Sequence, residues 1–180
     1  MSTRRFVRSA RVEDVEAIVD VQVAAWLETY RELLPEAVLA ELSGAEARAA
    51  FVARWRAAVE SPPTSRHRLL VATDEGAVAG FAAFGPAQDA DRWPGTDAEI
   101  YALHVAPDRV RRGHGSRLLH AVVDHLLDDG FQAVYVWTLE QQNALRTFVE
   151  QAGWAADGAR RELDMGTVVP MVRLHAAISR

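Results

Sequence analysis

The chain predicts an α/β fold, a mixed β-sheet with helices packed on it. Two observations lead there. Apolar residues at helical spacing alternate along the chain with short apolar runs of strand length. A strand, a helix and a second strand follow one another over residues 98–139, and such a unit gives parallel strands joined by a right-handed crossover. The remaining strands read as antiparallel.

Taken in order, "RFVRSA" is a short first strand. Val15, Ile18, Val21, Ala25 and Trp26 recur at helical spacing, which predicts an amphipathic helix over 13–30. Pro35 suits the first turn of a second helix, interrupted at Ser43-Gly44. Ser43 with Glu46 fits a capping box for another helical segment, with Phe51, Trp55 and Val59 at i, i+4 and i+8 along it. "SPPTSRH" is a loop, and residues 68–86 read as strand, turn and strand with Asp74-Glu75-Gly76 at the tip. A polar loop over 87–97 leads into the strand "AEIYALHVA", 98–106. The helix 115–128 carries Leu118, Leu119, Val122, Val123, Leu126 and Leu127 on one side and has Gly130 near its end. "QAVYVWTL", 132–139, is a buried type of strand, a helix at about 142–151 stops at Gly153, and two strands finish the chain.

A length of 180 residues with 49% hydrophobic and 25% charged residues suits one ordered domain, 1–180. The net charge of -5 offers no global footprint for nucleic acid. The chain has no cysteine, which excludes disulfides, a thiol nucleophile and thiolate metal sites. Its six histidines lack metal-ligand spacing, so no metal is expected. The N-terminal stretch lacks the apolar core of a signal peptide, and no run reaches the roughly 20 apolar residues that span a bilayer. A cytoplasmic protein without a membrane partner is the expectation.

The chemistry concentrates in "HVAPDRVRRGHGSRLLHAVVDHL", residues 104–126, where a strand passes into a helix through arginines and glycines. A helix N-terminus presents unpaired N–H groups and partial positive charge, which favours an anion. Gly113 and Gly115 let the backbone approach a ligand closely, and Arg111 and Arg112 add charge. The competing reading is a tight turn with solvated arginines. A P-loop is excluded because the chain has no lysine, and Leu118 stands where a dinucleotide fingerprint needs its third glycine.

"EIYALHVAPDRVRRGHGSRLL" resembles the acetyl-CoA-binding motif of the GNAT superfamily of N-acetyltransferases, Gln/Arg-x-x-Gly-x-Gly/Ala, on residues 110–115. "NALRTFVEQAGW" resembles the same family's Asn-x-x-Ala-x-x-Phe-Tyr-Glu-x-x-Gly-Phe segment, with Phe148, Glu150, Gly153 and Trp154 in register. "SARVEDVEAI" and "AAWLETYRELLP" are similar to its first helices, so the likeness spans nearly the whole chain.

The resemblance implies a twisted mixed sheet whose fourth and fifth strands splay into a cleft for acetyl-CoA. Backbone groups of Leu103, His104 and Val105 would pair with the pantetheine arm and polarise the thioester. The amides of Arg111, Arg112, Gly113, His114, Gly115 and Ser116 would hold the pyrophosphate, with only the backbone of His114 in contact. Gln142 or Asn143, with Phe148, would line the far side. The sequence departs from the family pattern at Val110, Gln142 and above all Val149, which replaces the tyrosine that protonates the departing thiolate. Tyr101, Tyr135 or a histidine are the candidate substitutes.

An attacking amine must lose a proton, and Glu99 stands where some family members carry a glutamate base. Partial burial would raise its pKa toward that use. On a regular strand Glu99, Tyr101, Leu103 and Val105 share a face and His104 points away, unless a bulge intervenes. Solvent or an arginine partner is the alternative for Glu99. His104 is either a chemical group beside the thioester or a neutral core histidine. Trp26 and Tyr30 are core or an acceptor wall, and Glu140 is a solvated loop residue or meets a cationic acceptor. The expected reaction is direct transfer of acetyl from acetyl-CoA to a primary amine of a small molecule or a protein N-terminus. A non-catalytic acyl-CoA-binding or sensing module is the alternative, and the resemblance also suggests a homodimer.

Overall fold

The computed structural model describes residues 4–180, so the first three residues of the expected domain lie outside the described residues. The elements are β1 (Arg5–Ser9), a 3-10 turn (Val12–Asp14), α1 (Val15–Tyr30), α2 (Glu36–Leu42), α3 (Ala45–Glu60), β2 (Arg68–Asp74) and β3 (Ala77–Pro86). There follow β4 (Asp97–Val105), a second 3-10 turn (Pro107–Arg109), α4 (His114–Asp128), β5 (Ala133–Leu139), α5 (Ala144–Gln151), β6 (Ala155–Asp164) and β7 (Val168–Ala177). The strands form one sheet in the order β1-β2-β3-β4-β5-β7-β6. Among the described residues only β4 and β5 run parallel, joined through α4, and every other neighbouring pair is antiparallel. The mixed α/β sheet expected from the sequence is therefore present.

Strand alternation divides the side chains between two faces. On one face Ile100, Val134, Val136 and Leu174 pack with Leu118, Val122 and Leu126 of α4 and with Val149 of α5. On the other, Val71 and Phe81 pack with Ile18 of α1 and Trp55 of α3. A third cluster joins Tyr30 and Leu34 to Leu139 and Met171, with Trp26, α2 and the β6–β7 hairpin around it. Trp26 and Tyr30 thus belong to packed core. Burial forces the Trp55 indole N–H to find a partner, and it donates to Gln22 Oε1 at 2.6 Å. At the end of α4 the amides of Gly130 and Phe131 donate to Leu127 and Leu126. At the end of α5 those of Gly153 and Trp154 donate to Glu150 and Val149. These are Schellman closures, and Phe131 and Trp154 are buried beside them.

The Ser43 cap is a correction. Gly44 occupies the N-cap of α3 and no side chain caps that helix. The Ser43 hydroxyl instead donates back to Leu39 and Ala40 carbonyls at the end of α2, at 3.1 and 3.3 Å. The two helices meet across a single break, so the serine satisfies the carbonyls it already faces.

Gly80 sets how closely β3, β4 and α4 approach. A Cβ there would lie 2.8 Å from the His104 carbonyl oxygen and 3.2 Å from Leu118. Gly80→Ala should therefore cost about 1–3 kcal/mol of stability, read as a lower urea midpoint at unchanged slope. A loss below about 0.5 kcal/mol would mean that this contact is loose.

Candidate active site

The site begins with a divergence in the sheet. β4 pairs with β5 over four steps only, Asp97–Ala133 to Ile100–Val136. Beyond that β4 stays with β3 as far as Val105, while β5 stays with β7 as far as Leu139. The β5-side edge of Tyr101–Val105 is left without a strand. This is the splay expected for Leu103, His104 and Val105, whose main chain borders the gap.

A bulge accompanies the divergence. Ala83 pairs with Ala102 and Phe84 with Ile100, so Tyr101 has no partner on β3. The extra residue reverses the alternation. Ala98 and Ile100 before it, and Leu103 and Val105 after it, all pack toward α4. Glu99 and His104 therefore share the opposite face, and the regular-strand assignment is corrected. The His104 ring lies 5.5 Å from the Phe81 ring, and burial lowers its pKa to about 4, so it is neutral.

β4 then leads through the second 3-10 turn into a loop with unusual backbone. Arg111 has φ +62° and Gly113 φ +82°. Left-handed residues beside a helix start turn successive amides inward, which makes an anion-binding concavity. Such a conformation is strained for arginine and points to function. Gly113 is the N-cap of α4, so the amides that follow it, through Ser116, have no intrahelical partner. A Cβ at Gly115 would sit 3.5 Å from the Phe148 ring, so α5 closes one side of this loop.

The side chain of His114 does more than the sequence implied. It is buried and lies between Asp74 Oδ2, 3.3 Å from Nε2, and Arg117 Nη2, 2.8 Å from Nδ1. A guanidinium can only donate, so Nδ1 accepts and Nε2–H is assigned as donor to Asp74. Burial and the adjacent Arg117 lower its pKa, which agrees with a neutral ring. Asp74 also accepts from Arg5 at 3.1 Å and lies 3.8 Å from Arg112. Burial pushes its carboxyl up, but Arg5 and His114 more than offset that and leave it below the usual range. The loop is thereby anchored to the end of β2.

Gln142 and Asn143 border a cleft of about 270 Å³ between Glu28–Leu33 and Leu139–Ala144. The Asn143 amide is engaged. Its oxygen accepts from the Arg146 amide at 3.1 Å as the α5 cap, and its nitrogen donates to Thr138 Oγ1 and the Gln141 carbonyl, each at 2.9 Å. Gln142 is exposed and donates to Thr147 at 2.7 Å. Glu140 pairs with Arg160 on β6.

Glu99 is 7% exposed and its Oε1 has no hydrogen-bond partner. Burial first, and the charge of Asp89 second, raise its pKa to about 7, while Arg161, the Gln88 amide and Arg173 act in the opposite direction. A carboxyl so placed exchanges a proton near neutrality. Val149 is fully buried and has no proton to give. The hydroxyls of the other candidates are engaged, Tyr101 with the Pro86 carbonyl and Tyr135 with Arg92. Asp89 and Arg173, which frame Glu99, carry no local sequence signal and are brought together by the fold alone.

The acetyltransferase (GNAT) family model matches residues 23–154, and the chain belongs to that family. It is 36% identical over 140 residues to the uncharacterized N-acetyltransferase YuaI of Bacillus subtilis, a match that covers 77% of this chain and 74% of that protein. It is similar in fold to the PaiA N-acetyltransferase of Thermoplasma acidophilum, whose structure contains coenzyme A. The TM-score is 0.73 at 17% identity, covering 98% of this chain and 99% of that one. The ribosomal-protein-alanine N-acetyltransferase of Brucella melitensis gives TM-score 0.73 at 16% identity, with 96% and 99% covered. Neighbours at such identity establish the fold.

Glu99 should make stability depend on pH. Its folded pKa of about 7 lies above the ordinary 4.5, so the unfolded chain ionises first as pH rises. The stability contributed by the neutral carboxyl is full below about pH 4.5 and is lost by about pH 7. Glu99→Gln should therefore be more stable than the parent at pH 8, by up to about 3 kcal/mol, and should lose that advantage near pH 4.5. Urea unfolding at the two pH values reads the difference.

Proposed function

We propose that the protein binds acetyl-CoA in the gap beside β4 and transfers its acetyl group to a primary amine, with Glu99 as general base. The observation that carries this reading is the unpaired β4 edge running into the amide loop at Gly113. Main-chain groups of Leu103, His104 and Val105 would replace the missing strand against the pantetheine amides. The amides of Arg111 to Ser116 would hold the pyrophosphate, with Arg111 and Arg112 adding charge. Phe148 and the Gln142–Asn143 turn would line the opposite side. The fit is chemical: an extended diamide suits a strand edge, and a pyrophosphate suits a helix start.

Acetyl-CoA supplies an activated acyl group, and transfer replaces its C–S bond with an amide C–N bond. Glu99 would take the proton released as the amine nitrogen attacks, directly or through water. The sulfur would leave as thiolate without a side-chain acid at position 149, which costs the help that a general acid gives, typically about 10²–10⁴-fold. Holding amine and thioester together supplies the larger part of the acceleration, up to roughly 7–11 kcal/mol in favourable cases. The absence of cysteine favours direct transfer. Acceptors of the expected kind are small-molecule amines and peptide N-termini.

The buried Val149 favours one second reading, an acyl-CoA-binding module without transfer. Calorimetry and a thiol-release assay separate the possibilities. Wild-type protein should bind acetyl-CoA in the micromolar range, and folded Gly113→Glu should lose that binding. A panel of a polyamine, an aminoglycoside-type amine, free amino acids and a short peptide should include an acceptor that releases thiol. With that acceptor Glu99→Gln should be slower by about 10²–10⁴-fold. Binding with no thiol release from any amine supports the second reading, and no binding contradicts both.

A further inference from the structure

Arg173 on β7 is 3% exposed, and each nitrogen of its guanidinium is committed. Nε donates to Asp157 at 2.7 Å, Nη1 to Asp89 and Asp91 at 2.8 Å each, and Nη2 to the second Asp91 oxygen at 2.7 Å. The Trp137 indole donates at 2.8 Å to the same Asp89 oxygen that Arg173 holds. Arg173 lies over the rings of Tyr135 and Trp137, at 5.2 and 5.5 Å from their centroids. Three strands, β5, β6 and β7, and the β3–β4 loop are therefore locked together at one cation.

The lock is adjacent to Glu99. Tyr135 is the β5 partner of Glu99, and Trp137, the next residue on that face of β5, is the partner of Arg173. The Gln88 amide faces the Glu99 carboxyl, and Asp89 follows it in the chain. One arginine against three aspartates leaves the cluster with excess negative charge. Asp89 directs that excess toward Glu99, whereas Asp91 is 58% exposed and also has Arg92 at 3.6 Å.

We propose that Asp89, fixed by Arg173 and Trp137, is a positioning residue for acetyl transfer: its immobile negative charge keeps the Glu99 carboxyl able to accept the amine proton. The chemical use rests on the proposed role of Glu99 as base, and the electrostatic coupling does not. The groups around Glu99 on this face are Asp89, Asp91 and Arg92 from the β3–β4 loop and Tyr101 from β4. Tyr135 on β5 is the strand partner of Glu99, with His175 of β7 stacked on that ring, and Arg161 of β6 and Arg173 of β7, which holds Asp157 of β6, act on Glu99 electrostatically.

The test is the pH titration of the Glu99 Cδ resonance in ¹³C-labelled full-length protein, assigned with Glu99→Gln. The wild-type midpoint is expected at about 7. Asp89→Asn should lower it by roughly 0.5–1 unit, and Asp89→Glu should keep most of the wild-type value. Asp91→Asn is the discriminating control. It keeps one oxygen at position 91 and loses the other, so one of the two Arg173 hydrogen bonds there goes, whereas the single amide oxygen left by Asp89→Asn can still accept from both Arg173 and Trp137; Asp91→Asn therefore disturbs the lock at least as much. It should nevertheless leave the midpoint within about 0.2 unit, because solvent screens an exposed charge. An unmoved midpoint in Asp89→Asn, or equal shifts in both variants, overturns the proposal. Full transfer activity in Glu99→Gln would instead overturn the role as base while leaving the coupling standing.

Discussion

The structure depends on one feature of its sheet: β4 stays paired with β3 along its length but leaves β5 after Ile100. The two central strands part after Ile100 and Val136, while β3 follows β4 to Val105 and β7 follows β5 to Leu139. The bulge at Tyr101 sits at the parting and turns the strand there. Backbone groups that lose a strand partner need another, because unpaired main-chain donors and acceptors are costly to bury. The gap therefore offers an unpaired strand edge, walled by the strands on either side of it.

The same divergence organises the chemistry on the two faces. Toward α4, the chain leaves β4 for a loop that aims its amides into one place. That loop is held by His114, Asp74 and Arg117 beneath it and by Phe148 beside it. Toward α1, the bulge leaves Glu99 and His104 on a common face. There Glu99 has an unpartnered oxygen, and His104 is kept neutral. The amide loop at the start of α4 and the buried Glu99 carboxyl thus lie on the two faces of the sheet at the strand that diverges.

What was legible in the sequence was local. The glycines of the 110–115 loop, the helical spacing of Leu118, Val122 and Leu126, and the uninterrupted apolar run of β5 each state their own structure. The element order and the parallel crossover followed from them. What was not legible depends on pairing across the sheet. A bulge is a mismatch between strands, so no residue near Tyr101 announces it, and the faces of Leu103 and His104 were reversed in consequence. Asp89 and Arg173 are 84 residues apart, and only the fold makes them partners. The Ser43 cap failed for a local reason, since Gly44 fits the N-cap and the hydroxyl had carbonyls nearer at hand.

The central claim is that the β4 edge and the α4 start form one continuous site. Amide chemical-shift mapping of ¹⁵N-labelled protein titrated with coenzyme A tests it most directly. The account predicts that the largest perturbations fall together on Leu103, His104 and Val105 and on the amides from Arg111 to Ser116, with one shared affinity. Perturbations confined to one of these segments, or centred away from both, would contradict it.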